Sequence, residues 1–228
     1  MKKSLLLLFG LELAYWVPAR WLLHGYHGGA ISREIIWTVF RLISAAVVYC
    51  LFRQMIHPRA AARRARFPAV FVLLGLVAAA APALVMHAAL AFPLNYLLGA
   101  TSLAVAVREE LVYRAVLQPL LTARCGLATS LIISNVIFTL YHFGAESFTP
   151  LNLIQIFAMG TILGLIYHQT RSLLLVIALH AIYDAGFCFA PLLHSPLSPA
   201  CFIGILLVVL AVLAVKCFTS PTGPKTVK

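Results

Sequence analysis

Apolar residues dominate this chain in long runs, and polar residues are concentrated in the short links between them. Eight runs can be distinguished, and most are close to the ~20 residues that a helix needs to cross a lipid bilayer. Because backbone groups in lipid must be hydrogen-bonded within their own segment, such runs predict helices. We therefore expect an all-α, polytopic membrane helix bundle with about eight transmembrane helices. The runs cover residues 4–23, 35–56, 68–91, 95–124, 127–144, 151–169, 172–191 and 199–218.

Lysine and arginine are found mainly at alternate ends of these runs. The most basic link, 57–66, contains four arginines, and Arg124 and Arg171 lie at the fourth and sixth links. Because links rich in lysine and arginine remain in the cytoplasm, this distribution predicts that both termini are cytoplasmic (N-in/C-in). We see no linker or repeat, and we expect a single integral membrane domain over residues 1–228, multi-pass in a bacterial inner (plasma) membrane.

Composition supports a membrane protein and argues against a soluble domain. The chain is 63% hydrophobic and 10% charged, whereas soluble domains carry about 25% charged residues. The net charge of +11 does not indicate a nucleic-acid partner, because the basic residues lie at the ends of apolar runs and form no stripe on a polar surface. The five cysteines are scattered without Cys-x-x-Cys spacing, so we interpret them as apolar filling residues.

The fourth run contains an unusual group of charges within a segment of leucine, valine and alanine: Arg108, Glu109, Glu110 and Arg114. Ionised groups in apolar surroundings are costly unless they are paired. On a helix, Glu110 and Arg114 are four residues apart and can pair on one face. Glu109 lies about 100° round the axis and remains available to another partner. Pro119 predicts a bend of this helix just after the charged group.

Two further runs carry polar side chains that a lipid setting does not explain. The fifth has Asn135, Phe138 and His142 on one helical face, and the seventh has His180 and Asp184 four residues apart. A single histidine in a membrane helix is most simply an interhelical hydrogen-bonding group. The coincidence of acidic residues and histidines on three separate spans favours a shared site instead.

The depths of these residues are compatible with one cluster. The fourth and fifth runs form an antiparallel pair that turns at 125–126. Two positions, one in each run, therefore lie at the same depth in the membrane when their residue numbers sum to about 251. Glu109 and His142 meet this condition, each roughly 25 Å from the turn at 1.5 Å per residue. His180 and Asp184 lie roughly 12–18 Å into their helix from the same side. We therefore expect a polar cluster inside the bundle, reached through a cavity on the cytoplasmic side.

Such a cluster could hydrolyse a substrate. A carboxylate and a histidine can share the proton of one water and make it a nucleophile, and a second histidine can donate to the oxyanion that forms. The cluster offers no serine or cysteine as an obvious nucleophile. Two other readings remain open: a catalytically silent scaffold that binds a membrane peptide, of the immunity type, and a proton-coupled transporter. Against the transporter, the chain shows no inverted repeat.

Three motifs in this order resemble the motif set of the CPBP family, the CAAX-processing and bacteriocin-processing intramembrane endopeptidases, also called Abi or Rce1-like: Glu109-Glu110-x-x-x-Arg114, Phe138-x-x-x-His142 and His180-x-x-x-Asp184. The resemblance covers about residues 95–191, the catalytic core helices. It implies a CAAX-type intramembrane protease that hydrolyses a peptide bond in a membrane-associated peptide or protein tail. Prenylated tails, bacteriocin leaders and sorting signals all remain open as substrates.

The resemblance also implies roles for single residues. Glu109 and His142 would activate the water, while His180 and the residue at 184 would stabilise the oxyanion. Glu110 and Arg114 would hold the site together. Asp184 stands where asparagine is common, and we expect it to orient His180 through a hydrogen bond. No cofactor is expected, although a glutamate, two histidines and an aspartate could bind zinc, which is the alternative.

Overall fold

The computed structural model describes residues 2–56, 69–85, 93–142, 149–189 and 197–219. These residues form helices and no β-strand, so the all-α prediction is confirmed for the described part of the chain. The helices are α1 (Lys2–Gly25), α2 (Ala30–Ile56), α3 (Ala69–Val85), α4 (Pro93–Glu110), α5 (Gln118–Tyr141), α6 (Pro150–Thr170), α7 (Leu173–Phe189) and α8 (Leu197–Thr219), with a π-helical segment (Leu111–Leu117) between α4 and α5.

Each of the eight apolar runs corresponds to helical structure, although parts of the third, fifth and seventh runs lie outside the described residues. Within the described ranges, four helical stretches are long and apolar enough to cross a membrane: Ala30–Ile56, Tyr96–Tyr141, Pro150–Thr170 and Ala200–Thr219. Two more apolar helices, Ala69–Pro82 and Leu173–Phe187, are shorter. Together they indicate a multi-pass membrane protein. The count of eight crossings and the N-in/C-in orientation stay predictions.

The long helical stretch that contains α4 and α5 reverses at Gly126. Its φ of 79° and ψ of 171° belong to a region that glycine adopts readily and other residues avoid. The hydroxyls of Thr122 and Ser130 are 2.8 Å apart, whereas eight residues of straight helix would separate them by about 12 Å. The rings of Tyr113 and Phe138 also meet, with centroids 5.0 Å apart. Both contacts join positions whose numbers sum to about 251, so the predicted hairpin is confirmed.

The π-helical segment follows the acidic pair without a break in the helix. Gln118 donates its backbone N–H to the carbonyl of Tyr113, five residues back. Pro119 has no N–H, so this wide hydrogen-bonding pattern cannot continue through it. All seven residues of the segment are buried. The sequence predicted a bend just after the charged group, and this bend stays a prediction. The structure shows a π-helical irregularity that begins inside the group, at Leu111, and ends beyond it, at Leu117.

The charged group is carried into the middle of the bundle by the packing of α4 against α2 and α7, while α3 and α6 both contact α7 and α8. Gly75 allows α3 to approach closely, since a Cβ there would lie 2.7 Å from Leu179 and 2.8 Å from Ile166. Large apolar side chains such as Leu103 and Leu174 are exposed at the outside of the bundle, as a lipid environment requires.

Arg108, which is buried, and Glu12, which is partly exposed, form a second ion pair that ties α1 to α4. The Nη2 atom of Arg108 lies 2.7 Å from both carboxylate oxygens of Glu12. The guanidinium also stacks 3.5 Å above the ring centroid of Tyr15. Arg108 is fully buried, so its charge depends on these partners. Glu12, an acidic residue inside the first apolar run, therefore has a structural explanation.

Replacing Glu12 by alanine should leave the Arg108 cation buried without its carboxylate. Breaking a buried pair in this way costs about 3–5 kcal/mol, so we expect a clear fall in the thermal unfolding temperature in detergent. The double variant Glu12→Ala/Arg108→Met removes both charges and should recover part of the loss. Unchanged unfolding of Glu12→Ala would show that the pair does not hold α1 in place.

Candidate active site

A cavity of about 580 Å³ lies at the end of the bundle where α1, α5 and α7 end and where α2, α4, α6 and α8 begin. Four of the predicted site residues line it, from three different helical segments: Glu109, His142, His180 and Asp184. The other two, Glu110 and Arg114, are fully buried behind its wall. The structure thus brings all six predicted residues together, while their catalytic roles stay predictions.

The cavity lies at the end of the bundle opposite the basic link 57–66, which joins the end of α2 to the start of α3. The sequence analysis expected both on one side, and that expectation is wrong. The depth of Glu109 and His142 gives the reason. About 25 Å from the turn at 125–126 is most of the ~30 Å thickness of a bilayer core, so these residues lie nearer the opposite face.

Glu110 connects two partners through one carboxylate. Its Oε1 lies 2.7 Å from Nδ1 of His180, and its Oε2 lies 3.2 Å from Nε of Arg114. The pairing predicted from the four-residue spacing of Glu110 and Arg114 is therefore confirmed. Because an ionised carboxylate can only accept hydrogen bonds, Nδ1 of His180 carries a proton in this arrangement. Glu110 thereby fixes the orientation of the imidazole ring.

The second nitrogen of His180 faces two further carboxylates. Nε2 lies 3.5 Å from Oδ2 of Asp184 and 3.8 Å from Oε2 of Glu109, both longer than an ordinary N–H···O hydrogen bond. We expected Asp184 to orient His180, but the short hydrogen bond of the ring is the one that its Nδ1 donates to Glu110. Nε2 is left pointing among groups that line the cavity, where it can meet a substrate.

Glu109 and His142 are the two groups placed to accept a proton. Oε2 of Glu109 is buried and has no hydrogen-bond partner within the described residues. Nδ1 of His142 lies 2.8 Å from the carbonyl oxygen of Phe138. A carbonyl only accepts, so Nδ1 donates and the neutral ring keeps its lone pair on Nε2. His142 is also held by the ring of Phe138, with centroids 4.7 Å apart.

Arg114 and Gln118 form a short ladder of hydrogen bonds to α6. Nη2 of Arg114 donates to the carbonyl of Gly160 over 3.0 Å, and Nε2 of Gln118 donates to the carbonyl of Gly164 over 2.9 Å. By itself, the spacing Gly160-x-x-x-Gly164 indicates only a close-packing face. The matching four-residue spacing of Arg114 and Gln118 is the signal that could have revealed the ladder, since parallel helices present such pairs in register.

Further polar residues of the cavity wall were missed by sequence reasoning. Glu34 and Arg41 form a buried ion pair of 2.7 Å, and the hydroxyl of Thr101 donates to the same Glu34 oxygen over 2.8 Å. Arg20 donates to the carbonyl of Tyr141 over 2.6 Å, beside His142. The seven-residue spacing of Glu34 and Arg41, two helical turns, was the available signal for this pair.

Metal binding was the alternative left open by the sequence. Across the described ranges, no group of three or more histidine, cysteine, aspartate and glutamate side chains is arranged to hold a metal ion. Glu110 is already engaged on both oxygens, by Arg114 and His180. The other side chains at the cavity that could act as metal ligands are Glu109, Asp184, His142 and His180.

Residues 92–186 match the family model described as type II CAAX prenyl endopeptidase Rce1-like. Over this segment the chain is similar to the Rce1-like family. The match includes all six predicted site residues, and it confirms the resemblance to the CPBP proteases that the three motifs indicated. The Rce1-like family indicates a CAAX-type protease. No curated protein and no solved structure matches the chain.

Gly160→Ala tests whether the close approach of α6 to Arg114 and Asn135 stabilises the candidate active site. The added methyl group would lie 2.6 Å from Oδ1 of Asn135 and 3.3 Å from Nη2 of Arg114. Forcing a methyl group into a packed interior costs about 1–3 kcal/mol, so we expect a lower thermal unfolding temperature in detergent.

The matched control is Gly204→Ala on α8, where a Cβ would meet no atom within 4 Å. This variant should unfold like the parent protein. Equal unfolding of Gly160→Ala and Gly204→Ala would contradict a tight contact between Arg114 and α6.

Proposed function

We propose that this protein is an intramembrane endopeptidase that hydrolyses a peptide bond in a membrane-associated peptide or protein tail. The observation that carries the proposal is the convergence of Glu109, His142 and His180 on one cavity, with Glu110 and Arg114 buried behind them. The match of residues 92–186 to the Rce1-like family model supports the same reaction class. Cleavage would take place in the inner (plasma) membrane, with lipid around the bundle.

In this proposal, a water molecule is activated between Glu109 and His142. Glu109 offers a buried carboxylate oxygen without a hydrogen-bond partner in the described structure. His142 offers the lone pair of Nε2, because its Nδ1 donates to the carbonyl of Phe138. The water oxygen forms a bond to the scissile carbonyl carbon as its proton passes to one of these groups.

The tetrahedral intermediate places negative charge on the former carbonyl oxygen. His180 stabilises it as the imidazolium, which carries a proton on both ring nitrogens. Nδ1 donates to Glu110, and Nε2, which faces Asp184 and Glu109, donates to the oxyanion. A hydrogen-bond donor fixed in advance lowers the barrier more than one that must reorient. The C–N bond then breaks, and the proton taken from water moves to the leaving amine.

Arg114 and Glu110 act as positioning residues in this scheme. The carboxylate of Glu110 lies between the guanidinium of Arg114 and the imidazole of His180, and Arg114 is itself fixed to the carbonyl of Gly160. The reaction uses no group outside the protein and water, and we propose that no metal ion takes part. The chelator test below decides this point.

The central experiment compares the parent protein with Glu109→Gln and His142→Ala. The probes are a quenched fluorescent peptide ending in a farnesylated Cys-Ala-Ala-X tail and the same peptide without the farnesyl group, both in detergent. Removing a general acid–base group costs about 10²–10⁴-fold in rate, so each variant should lose at least two orders of magnitude in cleavage. Gly204→Ala, where a Cβ would meet no atom within 4 Å, is the control for handling and stability.

The other outcomes separate the alternatives. Cleavage by the parent protein that disappears with a chelator would replace the metal-free scheme by a metal-dependent one. Full cleavage by both variants would refute the proposed active site. Binding of the peptides without cleavage by the parent protein would favour the silent peptide-binding scaffold.

Asp184→Asn and His180→Ala separate the two residues of the third motif. His180→Ala removes the proposed oxyanion donor and leaves Glu110 with one partner fewer, so cleavage should fall by about 10²–10³-fold. Asp184→Asn should retain substantial cleavage, because the hydrogen bond that orients His180 is the one that its Nδ1 donates to Glu110. Loss of activity in Asp184→Asn with unchanged unfolding would show that the reaction requires the carboxylate at this position.

A further inference from the structure

The connections between helices differ in charge at the two ends of the bundle. At the end away from the cavity, residues 57–68 contain four arginines, and Arg124 and Arg171 lie at the next two connections. The cavity end has four connections, and their sequences contain neither lysine nor arginine: 26–29, 86–92, 142–149 and 190–196. The helix ends in the structure show which of these two groups of connections lies on the same side as the cavity.

The charged residues within the helix ends do not reverse this difference in positive charge between the two ends of the bundle. Near the cavity end lie Arg20, Arg33 and Arg41, and the last of these is neutralised by Glu34. The opposite end has ten basic residues in its helix ends and connections: Lys2, Lys3, Arg53, Arg59, Arg63, Arg64, Arg66, Arg124, Arg171 and Lys216. The lysine and arginine count of short loops and helix ends is what orients a multi-pass protein.

All three tryptophans of the chain lie near the cavity end. Trp16 and Trp21 are in the second half of α1, and Trp37 is in the first half of α2. Trp16 and Trp37 line the cavity. Tryptophan is enriched at the boundary between membrane and water, so these side chains place the mouth of the cavity at such a boundary.

We propose that the cavity opens on the extracytoplasmic face of the membrane, and that its substrate is a peptide segment that reaches the bilayer from that face. The topology follows from the charge bias and the position of the cavity, while the substrate class rests on the proposed hydrolytic function. A cytoplasmic tail, including a prenylated one, would meet the basic end of the bundle. The substrates that fit are extracytoplasmic segments next to a membrane anchor.

Cysteine labelling in right-side-out spheroplasts of an expressing bacterium tests the topology directly. One protein keeps only the native Cys125, which is exposed beside the turn at the basic end. Its counterpart lacks all five native cysteines and carries Leu151→Cys, at an exposed position that lines the cavity. Gln155→Cys, also at the cavity, is the second position should Leu151→Cys fold poorly.

A membrane-impermeant maleimide should label the cavity cysteine in intact spheroplasts, and should label Cys125 only after the membrane is permeabilised. Labelling of each cysteine in permeabilised samples shows that it is reactive. Labelling of Cys125 in intact spheroplasts, with the cavity cysteine protected until permeabilisation, would overturn the proposal.

Cleavage in detergent gives the peptide access to both ends of the bundle, so it separates the two proposals. If the parent protein cleaves in detergent but the cavity cysteine is protected in spheroplasts, the extracytoplasmic site is contradicted and the protease function is retained. The detergent assay therefore also includes a quenched fluorescent peptide that carries an extracytoplasmic segment next to a membrane anchor. A labelled cavity cysteine combined with failure to cleave or bind this peptide and the Cys-Ala-Ala-X peptides contradicts the hydrolytic function and leaves the topology standing.

Discussion

The carboxylate of Glu110 is the constraint on which the rest of the site depends. It is fully buried and is shared between Arg114 and His180, so one charge fixes side chains from the π-helical segment and from α7. Arg114 carries the connection on to the carbonyl of Gly160 in α6. A buried ion pair adds little net stability compared with an apolar replacement. Its contribution here is orientation, because losing any one member leaves the others charged and unpaired.

The remaining charges of the described bundle divide into paired and reactive groups. Glu12 is paired with Arg108 and Glu34 with Arg41, each at 2.7 Å. The first pair ties α1 to α4, and the hydroxyl of Thr101 on α4 donates to Glu34 of α2. These contacts give the first part of the chain a structural role. Glu109 differs, because its nearest basic group is His180 at 3.8 Å. A carboxylate held in this way can still take up a proton.

How far the sequence could predict this arrangement depends on whether the relevant geometry is local. The Glu110–Arg114 pair and the turn at Gly126 follow from helical periodicity and from glycine, and both were predicted. The bond from Arg114 to Gly160 depends on the register between two helices that no local pattern fixes. The hydrogen bond between His180 and Glu110 likewise joins two helices that are far apart in sequence, so periodicity along either helix could not foresee it.

The position of the cavity shows how a correct distance can support a wrong conclusion. Glu109 and His142 were placed level, and both line one cavity, but their depth was measured from the basic turn alone. Hydrolysis needs water, and water reaches a membrane site from the face with the shorter apolar path. For residues about 25 Å from one face of a ~30 Å core, that is the other face. Depth has to be compared with the whole thickness of the bilayer before a side is assigned.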